Sequence, residues 1–162
     1  RPLHTPLRRL GRTGRGASRM IIDLSLNVPV SPDQVWEELR HVSRHVDWMA
    51  DAESIEFRTT QREGVGVEFD CRTKVGPFRL TDRMTITNWV DGVSMGVRHV
   101  GLVTGEGQFT LTPNASGTVV RWREELRFPM FLGGELGTLF ARPILRTIWR
   151  GNLRRLAAIV TR

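Results

Sequence analysis

The sequence predicts an α+β fold in which a curved antiparallel sheet of seven strands wraps around one long C-terminal helix, with two short helices between strands 1 and 2. Residues 52–128 alternate apolar and polar side chains in segments separated by turn sequences, which is the period of strands. Residues 133–162 instead place apolar side chains every three or four positions, which is the period of a helix. Strands followed by a helix indicate an α+β layer arrangement, and a curved sheet around one helix leaves a cavity.

The first strand and the two short helices have separate local signals. Residues 20–28 alternate as a half-buried strand does, and Pro29 ends the pairing. Ser31 is predicted to cap a helix running to about Arg40, because Pro32 stands at the first helical position and Gln34 three residues after the cap. Ser43 is predicted to cap a second short helix that ends at Trp48.

Six further strands follow, and glycine, proline and asparagine mark the turns between them. Asp91-Gly92 is the strongest hairpin signal. The predicted strands cover residues 52–57, 65–71, 78–89, 93–100, 104–112 and 118–128.

The C-terminal helix is predicted to bury one continuous apolar face, formed by Leu136, Leu139, Phe140, Ile144, Ile148, Leu153, Leu156 and Val160. Pro143 lies inside this pattern, so we expect a bend or a second segment there. Arginines at 142, 146, 150 and 154 form the opposite face, which we interpret as solvated, with contact to anionic lipid as the alternative.

The net charge of +7 comes almost entirely from residues 1–19, which contain six arginines and no acid. We expect this segment to be a disordered basic extension of a domain covering residues 20–162; an arm for anionic partners or a transit peptide are the alternatives. Because the domain itself is nearly neutral, a nucleic-acid partner is not expected. The single cysteine, Cys71, excludes an intramolecular disulfide and favours the cytoplasm. The sequence contains no apolar stretch long enough to span a membrane.

The order of these elements resembles the START-like helix-grip superfamily, also called SRPBCC, and within it the bacterial polyketide cyclase/dehydrase group. The likeness is carried by residues 28–36, 46–49, 64–66 and 117–122, and the stretch 99–107 is similar to actinobacterial members. This resemblance implies a cavity for a lipid, an isoprenoid or a polyketide, in a group that contains both enzymes and carriers. Neither a cofactor nor a metal is expected, because the sequence contains no metal-ligand set and no phosphate-binding loop.

Three polar residues fall on the apolar side of their strands and are the candidate catalytic residues. Asp82 shares the phase of Leu80 and Met84, Glu124 shares the phase of Trp122, and His99 shares the phase of Met95. A buried carboxylate needs a partner or a function, because burial disfavours its charge. An acid/base pair is one interpretation, and simple pairing with an arginine or a backbone group is the other.

The residues predicted to contact a ligand are Trp48, Phe57, Phe69, Cys71, Leu80, Asp82, Met84, Met95, His99, Phe109, Trp122, Glu124, Leu126, Leu139, Phe140 and Ile144. A metal site at His41 and His45 is not expected, because the predicted cap at Ser43 separates them.

The leading hypothesis is a binding or transport domain for a hydrophobic small molecule, acting as a monomer or homodimer, with at most peripheral membrane contact. The alternative is a polyketide cyclase or dehydratase in which His99 and a carboxylate move protons.

Overall fold

The computed structural model describes residues 17–129 and 134–162. Its elements are β1 (Ala17–Val28), α1 (Pro32–Leu39), a 3₁₀ helix (Val42–Asp47), β2 (Ala52–Phe57), β3 (Glu68–Val75), β4 (Phe78–Val90), β5 (Ser94–Val100), β6 (Thr104–Asn114), β7 (Gly117–Pro129) and α2 (Gly134–Val160).

The strands form one antiparallel sheet of seven strands in the order β1-β7-β6-β5-β4-β3-β2. Every neighbour in the sheet except β1-β7 is also a neighbour in sequence. Residues 58–67 connect β2 to β3, and short turns connect the run from β3 to β7. The predicted fold class is therefore confirmed, with the short helices between β1 and β2 and the long helix at the end.

The capping box predicted for α1 is present. The backbone N–H of Gln34 donates to the side chain of Ser31, and the backbone N–H of Ser31 donates to Oε1 of Gln34 at 3.1 Å. The prediction that Ser43 caps the next helix is wrong, because the 3₁₀ helix already begins at Val42 and the residue before it, His41, makes no side-chain capping bond.

Two predicted strand boundaries also need correction. β1 begins at Ala17, three residues before the predicted start of the first strand at Met20, and Arg19 pairs with Glu125 of β7 at 2.7 Å. The rest of the predicted basic extension, residues 1–16, lies outside the described residues. β3 begins at Glu68 instead of residue 65, because Gly64 and Gly66 adopt φ angles of 91° and 90° and keep Val65 in the turn.

The two halves of α2 have different surroundings. In the second half Trp149, Leu153 and Leu156 are buried against the sheet and the short helices. The prediction that the first half is buried as well is wrong, because four of its apolar side chains are more than half exposed: Leu136, Leu139, Phe140 and Ile144. The apolar period shows that a helix has two faces, whereas burial needs a second element to cover the face.

Pro143 lies inside α2, which continues on both sides of it as one helix, and no second segment begins there. The bend expected at Pro143 stays a prediction. The predicted first residue of the helix, Gly133, is outside the described residues. Among the described helices, none has the length and hydropathy that crossing a bilayer requires.

Candidate functional site

A cavity of about 470 Å³ lies between the concave face of the sheet and the first half of α2. β3, β4 and β5 form one side of its wall, β6 and β7 form its floor, and Gly137, Ala141 and Leu145 contribute from α2. Most of the residues that we predicted to contact a ligand lie on this wall: Phe69, Cys71, Leu80, Asp82, Met84, Met95, His99, Phe109, Trp122, Glu124, Leu126, Phe140 and Ile144.

Three of the predicted ligand contacts do not lie on the wall. Trp48 is fully buried behind the floor, where its ring packs nearly perpendicular to the rings of Phe109 and Trp122 at centroid distances of 6.0 and 6.3 Å. Phe57 packs against Phe69 at 5.9 Å on the edge strand β2, outside the cavity. Leu139 is 65% exposed and points away from the cavity.

The polar centre of the cavity is a pair formed by His99 of β5 and Glu124 of β7. Nε2 of His99 lies 3.3 Å from Oε2 of Glu124, and the indole N–H of Trp122 donates to the other oxygen, Oε1, at 2.8 Å. Asp82 of β4 is also buried, and it lies diagonally beside His99 because Met84 is the direct cross-strand neighbour of His99. The strand period thus correctly predicts that all three residues point inward.

The His99–Glu124 contact crosses an intervening strand, which needs explanation. β6 lies between β5 and β7, and its inward residues at this level are Gly105, opposite His99, and Gly107, opposite Glu124. A Cβ built on Gly107 would overlap the Glu124 carboxylate, 2.5 Å from Cδ and 2.6 Å from Oε2. The missing side chain of Gly107 therefore leaves the space in which the Glu124 carboxylate meets His99, whereas a Cβ on Gly105 would clash with the backbone carbonyl of Glu125.

A third glycine makes room for the other carboxylate. A Cβ on Gly101 would overlap Oδ1 of Asp82 and lie 2.9 Å from its Cγ. The sequence contains all three glycines within residues 99–107, but it does not show which side chains need their space.

Burial and charge act in opposite directions on these groups. Burial lowers the pKa of His99, but the carboxylate of Glu124 and, more weakly, that of Asp82 outweigh burial, so the pKa is raised above the ordinary histidine value. Burial raises the pKa of Asp82, and this effect exceeds the opposing influence of His99 and of the backbone N–H groups of Leu102 and Val103.

Each of these three side chains has a buried polar atom without a hydrogen-bond partner among residues 17–129 and 134–162: Oδ1 of Asp82, Nε2 of His99 and Oε2 of Glu124. The 3.3 Å contact between the last two is an ion pair without hydrogen-bond alignment. Buried polar atoms in this state are costly unless something satisfies them. A polar ligand group in the cavity would do so.

Sequence reasoning missed a polar clamp on the cavity wall, to which Asp51 and Trp149 both contribute. The Asp51 carboxylate accepts from Nε1 of Trp149 at 3.0 Å and from Nδ2 of Asn152 at 2.7 Å, and Oδ1 of Asn152 accepts from the backbone N–H of Ala50 at 3.0 Å. Arg155 adds a bond to the carbonyl oxygen of Trp48 at 2.9 Å. The polar residue Asn152 within the apolar face of α2 was the available signal.

The two histidines rejected as metal ligands have separate partners. His41 contacts a carboxylate oxygen of Glu37 at 3.1 Å, and buried His45 lies 2.8 Å from the carbonyl oxygen of Leu39. Burial lowers the pKa of His45 to about 4, so its neutral ring donates this bond.

Comparison with known proteins agrees with this geometry. Residues 20–161 match the family model described as polyketide cyclase / dehydrase and lipid transport. No curated protein sequence matches the chain.

Solved structures show the same fold at low sequence identity. The di-domain ARO/CYC protein StfQ of the steffimycin biosynthetic pathway has a TM-score of 0.73 and 18% identity over 89% of this chain and 51% of its own, so our chain spans about half of its length. The Zhui aromatase/cyclase from a Streptomyces species has a TM-score of 0.70 and 14% identity over 89% of this chain and 94% of its own. Truncated norcoclaurine synthase from Thalictrum flavum has a TM-score of 0.67, with 14% identity and the same coverage of 89% and 94%.

A family model that covers nearly all of the described residues, together with a seven-stranded sheet closed over a cavity by a C-terminal helix, assigns the chain. The protein belongs to the polyketide cyclase / dehydrase and lipid transport family of the START-like helix-grip superfamily.

Proposed function

We propose that this protein binds a hydrophobic small molecule, such as a lipid, an isoprenoid or a polyketide-like compound, inside the cavity. The observation that carries the proposal is an apolar cavity of about 470 Å³ whose inner wall bears His99, Asp82 and Glu124 with unsatisfied polar atoms. Small-molecule sites have volumes of roughly 300 to 1,000 Å³ and combine an apolar wall with a few convergent polar groups. The family assignment supports the same function.

The wall suits a ligand with a long apolar part and one polar end. Side chains such as Phe69, Met84 and Phe109 would contact the apolar part, and its burial would supply most of the affinity, at about 25 cal/mol per Å² before the entropic cost of binding. His99 and its neighbours would satisfy the polar end and determine its orientation.

The test is native mass spectrometry of the purified protein, followed by organic extraction of any bound molecule. We expect a stoichiometric hydrophobic ligand, or binding of an added one that quenches the fluorescence of Trp122 and Trp149 in the wall.

A matched pair of variants in α2 locates the site. Ala141→Trp places a large ring in the cavity wall and should abolish binding, whereas Ala158→Trp, on the exposed side of the same helix, should leave it unchanged. Undiminished binding by a folded Ala141→Trp variant would show that the ligand does not occupy the cavity.

The second candidate function is acid/base catalysis, as in a polyketide cyclase or dehydratase. Its specific support is the contact of 3.3 Å between His99 and Glu124 inside the cavity, because such a pair can take a proton from a bound poly-ketone and return it to an oxygen. Under this function, His99→Asn and Glu124→Gln abolish turnover while ligand binding stays measurable. Turnover that survives both changes would contradict acid/base catalysis by His99 and Glu124, and ligand binding would remain as the proposed function.

The same proposal includes the cytoplasm as its location and a monomer or homodimer as the working state. Cys71, the chain's only cysteine, is buried and free, which suits a reducing compartment. Cell fractionation and size-exclusion chromatography test these two points.

A further inference from the structure

The ionisable side chains on the cavity wall are mostly acidic. Three carboxylates line it, those of Asp51, Asp82 and Glu124, together with His45 and His99. In the described part of the chain, neither lysine nor arginine contributes to this wall, although the sequence contains 24 of them. A ligand with an anionic group would therefore have to find its counter-charge on a histidine.

Neither histidine is available for that purpose. Burial keeps His45 neutral with its pKa at about 4, and its ring is bonded to the carbonyl oxygen of Leu39. The raised pKa of His99 keeps its ring charged to a higher pH than that of an ordinary histidine. Glu124 already lies 3.3 Å from Nε2 of His99, however, and its carboxylate compensates this charge. The His99–Glu124 pair therefore has no net positive charge to offer.

The remaining acids make the wall neutral or negative. Asp51 accepts hydrogen bonds from Trp149 and Asn152, and Arg155 contacts the far side of Asn152, so the charge of Asp51 is satisfied within the clamp. Asp82 has no such clamp, and burial raises its pKa. It adds one negative charge when ionised and a hydrogen-bond donor when protonated. The polar centre is positive in neither state.

Resting on the proposed binding function, we propose that the cavity selects ligands whose buried polar group is an uncharged hydroxyl, as in an alcohol or a phenol, and rejects carboxylates, phosphates and sulfates. A hydroxyl can accept from Nε2 of His99 and donate to Oε2 of Glu124 or Oδ1 of Asp82, which are the buried atoms without partners. An ionised carboxylate cannot donate, and it would bring an unpaired charge into a water-poor site beside two acids.

Three fluorescent probes with the same ring system test this selectivity: anthracenylmethanol, anthracenecarboxylate and anthracenylmethylammonium. At neutral pH we expect the alcohol to bind at least tenfold more tightly than the carboxylate, and more tightly than the ammonium. Carboxylate binding as tight as that of the alcohol would overturn the proposal, and so would preferential binding of the ammonium, which would indicate a cation site.

Variants of the wall residues test whether the carboxylates of Glu124 and Asp82 cause the selectivity. Glu124→Gln and Asp82→Asn each remove one carboxylate, so the preference for the alcohol over the carboxylate should fall several-fold in each. The matched control is Glu106→Gln, because Glu106 precedes Gly107 on the outer, exposed face of β6, and its preference should equal that of the wild type. Circular dichroism confirms that each variant is folded, and the two cavity variants are independent of each other.

The outcomes separate the two proposals. An unchanged preference in both cavity variants would overturn the role of the wall charges while leaving the binding function intact. A different outcome is that none of the three probes binds and that the purified protein also contains no extractable ligand. This outcome would refute the binding function and, with it, the proposed selectivity.

Discussion

Gly107→Ala is expected to destabilise the protein by an amount that depends on Glu124. The φ angle of Gly107 is not positive, so an alanine fits the backbone there without strain. The substitution therefore tests only whether there is space for a Cβ atom. The added Cβ would lie 2.5 Å from Cδ of Glu124 and 2.6 Å from Oε2, well inside ordinary contact distances. The carboxylate must therefore move by about 1 Å.

The size of the effect follows from what the carboxylate loses by moving. Its charge-assisted hydrogen bond from Trp122, at 2.8 Å, contributes about 1.5 to 3 kcal/mol. Strain from overpacking adds about 1 to 3 kcal/mol. Replacing glycine by alanine in a strand returns roughly 0.5 to 1 kcal/mol. The net loss in the free energy of unfolding should be about 1.5 to 5.5 kcal/mol.

Urea unfolding followed by tryptophan fluorescence measures this loss, and a double-mutant cycle assigns its cause. In a Glu124→Ala background the clash is gone, so adding Gly107→Ala should change stability by less than about 1 kcal/mol. The control is Gly151→Ala in α2, whose Cβ would meet only the Arg155 guanidinium at 3.6 Å and which should stabilise the helix by about 0.5 to 1 kcal/mol. Equal losses in the wild-type and Glu124→Ala backgrounds would refute the explanation.

Three other changes have defined outcomes. Asn152→Ala removes the bridge between Asp51 and the backbone N–H of Ala50, and thermal unfolding should show a loss of about 2 to 4 kcal/mol. Burial raises the pKa of Cys71 to about 12, so this only thiol should react with Ellman's reagent at pH 8 at full rate only after unfolding; fast reaction of the native protein would contradict this. Glu124→Gln should lower the pKa of His99 to below the ordinary histidine value in an NMR titration, because burial then outweighs the weaker effect of Asp82.

The His99 titration also predicts how stability depends on pH. Since the pKa of His99 is raised in the folded state, its ion pair stabilises the protein fully below the unfolded-state pKa of about 6.5. This contribution is lost as the pH rises through the folded-state pKa. In the Glu124→Gln variant it should be absent, and equal pH slopes for the two proteins would contradict the assignment.

Much of the fold could be predicted because its signals are local. The capping box at Ser31 and the hairpin at Asp91-Gly92 depend on residues within one turn. The inward direction of Asp82, His99 and Glu124 depends only on the alternation of side chains along a strand.

The features that could not be predicted depend on contacts between distant residues. That His99 meets Glu124 across β6 requires the register of three strands, and Asn152 meets Asp51 from 101 residues away. The exposure of Leu136 and Phe140 could not be predicted either, because periodicity does not show which part of a helix packs against the sheet. Ser43 had the composition of a cap but not the backbone position.

The glycines of β6 also have a consequence for folding specificity. On this strand Glu106 and Gln108 point outward, and Gly105 and Gly107 point inward. A slip of one residue would turn every side chain of the strand to the opposite face, so Glu106 or Gln108 would enter the space beside Glu124 while Phe109 and Leu111 moved to solvent. The mispaired sheet would combine a steric clash, the burial of a further polar group and the loss of apolar contacts. The binding pocket thus penalises incorrect strand pairing while the chain folds.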